Sequence, residues 1–279
     1  MGLPDFICIG AQKAGTSWLY ANLAQHPEIW TPFTKELHYF DAPVTGTLAA
    51  FRRRHVAKLA EAMKGAVANR APAGRIAYLR GLSDEAAMFT PDWYRLIFSR
   101  KPPGKIAGEF TPRYSTLPEK TLDEMIAFVP HAKMIYLIRD PVARARSSFR
   151  MAVRHGGVDP ADPVRIDAFA RNWDAKRGWL GSQYADFIPR WDARRVEGET
   201  LLYLPFGAIK TRPVLLLREV ETFLGLRPYA GYGKIRRKVN RTAGVPLPDW
   251  FEDRLKDRME RHRAFLASRF PADFVAEIG

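Results

Sequence analysis

Between positions 10 and 17 the chain reads Gly-Ala-Gln-Lys-Ala-Gly-Thr-Ser, directly after the apolar run Phe6-Ile7-Cys8-Ile9. Such a run reads as a buried strand. Glycines at 10 and 15 allow a tight loop, and Thr16 and Ser17 open a helix. A strand, loop and helix in this order turn several backbone N–H groups and the positive helix end toward one small anion. Lys13 adds a full charge inside the loop, so these residues suit the binding and neutralisation of a phosphate-like group. The nucleotide-binding P-loop carries its lysine immediately after the second glycine. Thr16 holds that place here, which argues against the usual arrangement of a nucleoside triphosphate with magnesium. A P-loop kinase or NTPase acting on a small molecule is the alternative the loop leaves open.

Two further groups could do chemistry with a bound anion. The segment Thr34–Asp41 gathers Lys35, Glu36 and His38 where a short strand should end, and strand ends face the ligand crevice of an α/β sheet. Glu36 has the chemistry to take a proton from a hydroxyl or amine, provided burial raises its pKa or a neighbouring cation activates the acceptor. His38 is the second candidate, since imidazole titrates near neutrality. Farther along, the apolar run Met134–Ile138 ends on Arg139. Asp140 follows as a natural N-cap and Pro141 as a natural first helical residue. Ser147 then falls about two turns into the helix. Arginine offers a planar fork of donors to a phosphate, and the serine hydroxyl adds another. Glu109, a third carboxylate at a strand end, reads as structural.

Strands must alternate with helices to position these groups, which predicts an α/β fold in three layers. Its centre is a mostly parallel sheet of about five strands flanked by helices. The expected strands are Asp5–Gly10, Leu37–Phe40, Lys105–Phe110, Lys133–Arg139 and Leu201–Leu204. Helices are expected over Thr16–Gln25, Leu48–Met63, Pro118–Phe128, Val142–Arg154, Ser182–Arg195, Phe206–Leu224 and Asp249–Phe270. Lys64–Asp92 and Gly156–Pro163 lack strong periodicity and read as surface excursions. In the last helix Phe251, Leu255, Met259, His262, Leu266 and Phe270 form one docking stripe, with Arg254, Arg258, Arg261 and Arg269 on a solvated face. Neither a linker nor a repeat divides the chain, so residues 1–279 are expected to form a single domain.

Lysine and arginine number 44 against 30 acidic residues, a formal charge of +14. That excess favours an anionic partner without choosing one. The basic stretches Arg52–Arg54 and Arg236–Lys238 lack interleaved aromatics, so no specific nucleic-acid partner is expected. One cysteine, Cys8, excludes an internal disulfide and a cysteine-based metal site. No basic leader and no apolar run of about 18 residues is present, which predicts a cytoplasmic protein without a membrane span.

The three blocks, in this order, resemble the sulfotransferase family that uses 3′-phosphoadenosine-5′-phosphosulfate (PAPS). The likeness is to the branch of the heparan sulfate sulfotransferases and their bacterial relatives. Phe6–Ser17 looks like that family's 5′-phosphosulfate loop. Lys35–Phe40 is similar to its Lys-Glu-x-His-aromatic-Phe segment, and Ile138–Val142 with Ser147 to its 3′-phosphate site. Weaker echoes are Gly108–Tyr114, Gln183–Trp191 and Phe223–Leu226, so the likeness runs over nearly the whole chain. The resemblance implies transfer of a sulfuryl group from PAPS to a hydroxyl or amine, with carbohydrate, including an acidic glycan, favoured as acceptor. The product would be 3′-phosphoadenosine-5′-phosphate (PAP), and no metal would be needed. It assigns Lys13 to the 5′-phosphosulfate, where it would stabilise the bridging oxygen. Ala14, Gly15, Thr16 and Ser17 would hold the 5′-phosphate, and Arg139 and Ser147 the 3′-phosphate. Glu36 becomes the general base, with Lys35 near the sulfuryl group. A late basic loop over Lys234–Thr242 offers Arg241 to the donor, although the glycine often found in that loop is missing. The acceptor would meet Thr45–Asp92 and Gly156–Trp179. The oligomeric state is left open.

Overall fold

The runs Phe6–Gly10 and Met134–Ile138 are apolar at nearly every position, so both faces of each strand must be covered. In the computed structural model, which describes residues 2–236 and 244–279, they are adjacent interior strands of a five-stranded sheet. The strands are β1 (Phe6–Gly10), β2 (Ile29–Trp30), β3 (Ile106–Phe110), β4 (Lys133–Ile138) and β5 (Leu201–Pro205). Their order is β2-β3-β1-β4-β5 and every pairing is parallel. From β1 the chain crosses to one side of the sheet, and from β4 to the other. The carboxyl ends of β1 and β4 therefore flank the reversal of strand order, where a parallel sheet opens its ligand crevice.

Helices α1 (Thr16–Leu23), α2 (Leu48–Ala68), α3 (Ala73–Leu82), α4 (Pro91–Phe98), α5 (Glu119–Phe128) and α6 (Pro141–His155) cover the first half. In the second half they are α7 (Pro163–Ala175), α8 (Tyr184–Asp192), α9 (Ala208–Thr211), α10 (Pro213–Leu224), α11 (Asp249–Arg269) and α12 (Ala272–Ala276). One apolar cluster centres on the sheet. A second joins Phe149 and Val153 of α6 to Ile166 and Trp173 of α7 and to Phe251, Leu255 and Met259 of α11. Among the described residues no helix is long and apolar enough to cross a membrane.

Several expectations need correction. Leu37–Phe40 is no strand, and the fifth strand is Ile29–Trp30, paired with Ile106 and Ala107. Positive φ at Glu36 (65°) and His38 (56°) breaks an extended run. Backbone donors there meet loop partners instead of a ladder: Glu36 N–H donates to the Phe110 carbonyl, Leu37 N–H to Thr111 Oγ1 and Tyr39 N–H to the Tyr114 hydroxyl. Lys64–Asp92 is largely helical, because α2 runs on to Ala68 and α3 buries Leu79 and Leu82. Helix α7 starts on a signal the periodicity missed: Asp162 caps Arg165 N–H and Pro163 takes the first helical position. The long helix expected over Phe206–Leu224 breaks before Pro213, where Arg212 leaves the helical region (φ −144°). The α11 stripe is buried as expected, with His262 Nδ1 accepting from Ala185 N–H at 3.3 Å. Its arginines do more than face solvent. Arg254 and Arg258 pair with Asp174, Arg261 with Asp186, and Arg269 with Asp192 and Glu197.

Candidate active site

The loop after β1 is held at both ends. Ala11 N–H donates to the Leu137 carbonyl of β4 at 2.9 Å, and Ala14 N–H closes a turn onto the Ala11 carbonyl at 3.0 Å. Ala14 N–H is thus already donated within the loop. Gly15 has φ 90°, and a Cβ on it would lie 2.2 Å from Ile209 Cδ1, so only glycine fits. The N–H groups of Gly15, Thr16 and Ser17 donate to no protein group among the described residues. The first turn of α1 contains no acidic side chain. Three donors and the positive helix end are left for an anion. Burial, then Arg154, Arg139 and Arg144, pull the Lys13 pKa below its ordinary 10.5.

Arg139 follows β4 directly, and Asp140 caps α6 by accepting from Ala143 N–H at 2.7 Å. The Arg139 guanidinium lies 4.3 Å from the Phe206 ring centre and donates through Nη1 to the Lys13 carbonyl at 2.9 Å. Its Nε is buried and has no hydrogen-bond partner among the described residues. Burial pulls its pKa down. A buried, unmatched guanidinium donor beside a cavity is chemically suited to an oxyanion.

The turn at Glu36 carries a chain of charges. Lys35 Nζ donates to Glu36 Oε1 at 2.6 Å, His38 Nε2 lies 3.3 Å from Glu36 Oε2, and His38 Nδ1 lies 2.9 Å from Asp41 Oδ2. Burial alone would raise the Glu36 carboxyl, but hydrogen bonds from His38 and Lys35 and their charges bring it down to about 2. Of the two routes expected for Glu36, a pKa raised by burial is therefore reversed, and activation of the acceptor by a neighbouring cation is left. Burial opposes charge on His38, yet Asp41 and then Glu36 outweigh it and raise its pKa above 6.5. The Phe51 ring stacks on His38 with 3.7 Å between centroids. Fully buried Glu109 accepts from Tyr94, from Tyr114 at 2.7 Å and from Thr111 at 2.8 Å, and burial raises its pKa. Thr111 and Tyr114 are the groups that receive the 37 and 39 backbone donors, so Glu109 braces this turn from beneath.

One cavity of about 900 Å³ brings these pieces together. Lys13, Gly15, Thr16, Ser17, Glu36, His38, Arg139 and Ser147 all lie on its wall. Ala14 and Lys35 do not, and Lys35 reaches the site only through Glu36. Arg241 lies outside the described residues. Sequence reasoning missed the apolar wall formed by Trp18, Phe206, Ile209 and Ile235. Phe206 follows β5 as Arg139 follows β4, so the strand-end rule could have found it. Of the two stretches expected to meet an acceptor, the first supplies Thr45, Thr47, Phe51 and Arg54, whereas the second supplies none because it folds away into α7. Met151 and His155 of α6 and Arg113 take its place.

The sequence model of a family described as "Sulfotransferase family" matches residues 4–230. The chain belongs to the sulfotransferase family. A human bifunctional heparan sulfate N-deacetylase/N-sulfotransferase 3 is 25% identical over 247 residues, which cover 83% of this chain and 23% of that protein. A human heparan sulfate glucosamine 3-O-sulfotransferase 6 is 27% identical over 242 residues, 80% of this chain and 53% of that protein. The chain thus spans about half or less of the length of these curated relatives. A sulfotransferase from Alicyclobacillus acidocaldarius superposes with a TM-score of 0.63 at 20% identity, covering 98% of this chain and 99% of that one. The sulfotransferase domain from the curacin biosynthetic pathway gives 0.56 at 17% identity, with 93% and 99% covered. Both likenesses speak for the sulfotransferase fold.

Proposed function

We propose that the protein transfers a sulfuryl group from PAPS to a hydroxyl or amine. The observation that carries this reading is that Lys13 and Arg139 wall one cavity, with the Arg139 fork resting on the Lys13 carbonyl. A donor with phosphates at both ends of its ribose suits two cation sites that close together. The open N–H groups of Gly15, Thr16 and Ser17 and the Lys13 ammonium would hold the 5′-phosphosulfate. Arg139, whose Nε is unmatched among the described residues, and Ser147 would hold the 3′-phosphate. The apolar wall of Trp18, Phe206, Ile209 and Ile235 suits the purine.

Sulfuryl transfer, like phosphoryl transfer, spreads charge over equatorial oxygens while nucleophile and leaving group lie in line. Catalysis then rests on positioning and on donors set before reaction. Lys13 would neutralise the bridging oxygen as its bond to sulfur breaks. Glu36 would take the acceptor proton. An entering hydroxyl that displaces Lys35 or His38 from Glu36 removes a group that depresses its pKa, so the carboxylate becomes more basic as the acceptor docks. His38, bonded to two carboxylates that raise its pKa, suits orientation of Glu36 better than proton abstraction. Asp140, spent on capping α6 and on Arg263 at 2.8 Å, offers no carboxylate for the magnesium of a kinase.

Carbohydrate is the favoured acceptor within this proposal, supported by the named activities of the relatives and by the cations Arg54 and Arg113 on the cavity wall. A single catalytic domain over 1–279 and a cytoplasmic setting belong to the same proposal. Thermal shift with PAP, ATP plus magnesium, and a short oligonucleotide tests it. PAP should raise the melting point most, since a ligand stabilises the fold that binds it. A preference for ATP plus magnesium would overturn the reading.

A further inference from the structure

A loop that binds an anion through its N–H groups must turn its carbonyls the other way, and those carbonyls need donors of their own. Lys13, with φ 72°, lies at the point where this loop reverses. The carbonyls of Gln12 and Lys13 are each met by an arginine from the segment after β4. Arg139 takes Lys13, and Arg144 Nη1 takes Gln12 at 3.1 Å.

Arg144 is only 1% exposed. Its Nε donates to Ser182 Oγ at 2.5 Å and its Nη2 to the Trp179 carbonyl at 3.4 Å. The segment wraps the guanidinium so closely that a Cβ on Gly181 would lie 2.8 Å from Nη1. Every partner is neutral: among the described residues no carboxylate pairs with Arg144. Burying a guanidinium without a counter-charge is costly, and an apolar side chain of similar size often packs as well or better. Packing alone therefore does not account for the charge. What the guanidinium does that an apolar chain cannot is hold three acceptors from two segments in one planar fork.

We propose that Arg144 is a positioning residue for the donor, fixing the Gln12 carbonyl outward so that the N–H groups beyond it face the cavity. Arg144 lies outside the cavity wall and acts through the loop. This rests on the reading of the site as a PAPS site, and it adds a mechanical link between the two phosphate cradles.

The test compares R144M, R144K and S182A with the wild-type chain by melting without ligand, PAP titration calorimetry and steady-state kinetics. R144M should melt no lower than wild type, while its PAP dissociation constant rises about tenfold or more, as for loss of charged hydrogen bonds. The KM for PAPS should rise in parallel and the KM for acceptor should not. R144K should bind PAP as poorly as R144M, because an ammonium cannot reproduce the fork. S182A keeps the charge and removes one anchor, so its dissociation constant should rise about threefold. S182A decides the matter should R144M fail to fold. Equal PAP affinity in wild type and S182A, with R144M either equal or unfolded, would overturn the inference, as would full rescue by R144K. Failure of the wild-type chain itself to bind PAP would remove the reading of the site and this inference with it.

Discussion

Replacing Glu36 by glutamine keeps the shape of the side chain and removes the charge that binds Lys35 and His38. The carboxyl titrates near 2 against an ordinary 4.5. At about 1.4 kcal/mol for each tenfold step, that difference is worth about 3 kcal/mol when the group is fully ionised. The side chain is 26% exposed, and screening reduces the figure to about 2 kcal/mol. A depressed carboxyl pKa stabilises the fold above the unfolded value, and the benefit drains away as pH falls from 4.5 toward 2. Urea unfolding of wild type and E36Q at pH 7, 5.5, 4.5 and 3.5 should therefore show a gap near 2 kcal/mol at pH 7. By pH 3.5 that gap should narrow by about 1 kcal/mol. At neutral pH, E36Q should also lose turnover by about a hundredfold or more while PAP affinity holds. A gap that stays constant with pH would refute the ion-pair account of this turn. Retained turnover would move the base elsewhere.

Other outcomes follow from the same geometry. Lys13→Ala should lower kcat by about a hundredfold with the melting profile intact, and near-normal turnover would remove Lys13 from the chemistry. Arg139→Ala should weaken PAP by about tenfold to a hundredfold and adenosine 5′-phosphosulfate by clearly less, measured by calorimetry, because both ligands lose the Lys13 carbonyl contact but only PAP loses a 3′-phosphate partner. Equal losses for both ligands would place the 3′-phosphate elsewhere. Burial and neighbouring arginines depress Lys13 in the free protein, and a bound anion would raise it again. PAP binding above neutral pH should then take up protons, and calorimetry in buffers of different ionisation enthalpy reads the number. Proton release, or no buffer dependence, would contradict that account.

The parts of the fold that could be read in advance depend on neighbours in sequence. Phe6–Gly10 and Met134–Ile138 declare themselves because strands covered on both faces need continuous apolar runs. The Asp140-Pro141 pair announces the start of α6 by capping alone. Leu37–Phe40 looked like a strand because its composition fits one. What denies it that state is a set of distant acceptors, Phe110, Thr111 and Tyr114, which pin a left-handed turn. Asp41 stood in the right segment without a role, since its hold on His38 exists only once that turn forms. Arg144 was invisible for a different reason: an arginine is by default a surface residue. Only the tertiary structure shows one enclosed among carbonyls.

Apart from Lys13 at the bridging oxygen, both proposed cradles would grip atoms that the reaction leaves untouched. If the donor sits as proposed, the loop N–H groups and the Arg139 fork hold phosphates that remain on the spent nucleotide, and only the sulfuryl group departs. Little in the pocket would then favour the starting nucleotide over the one left behind, so escape of PAP should limit the enzyme's pace. Inhibition by PAP should be competitive with PAPS, and any other pattern against PAPS would show that the two do not share the pocket. Steady flux would depend on a phosphatase-type reaction that destroys the residual nucleotide.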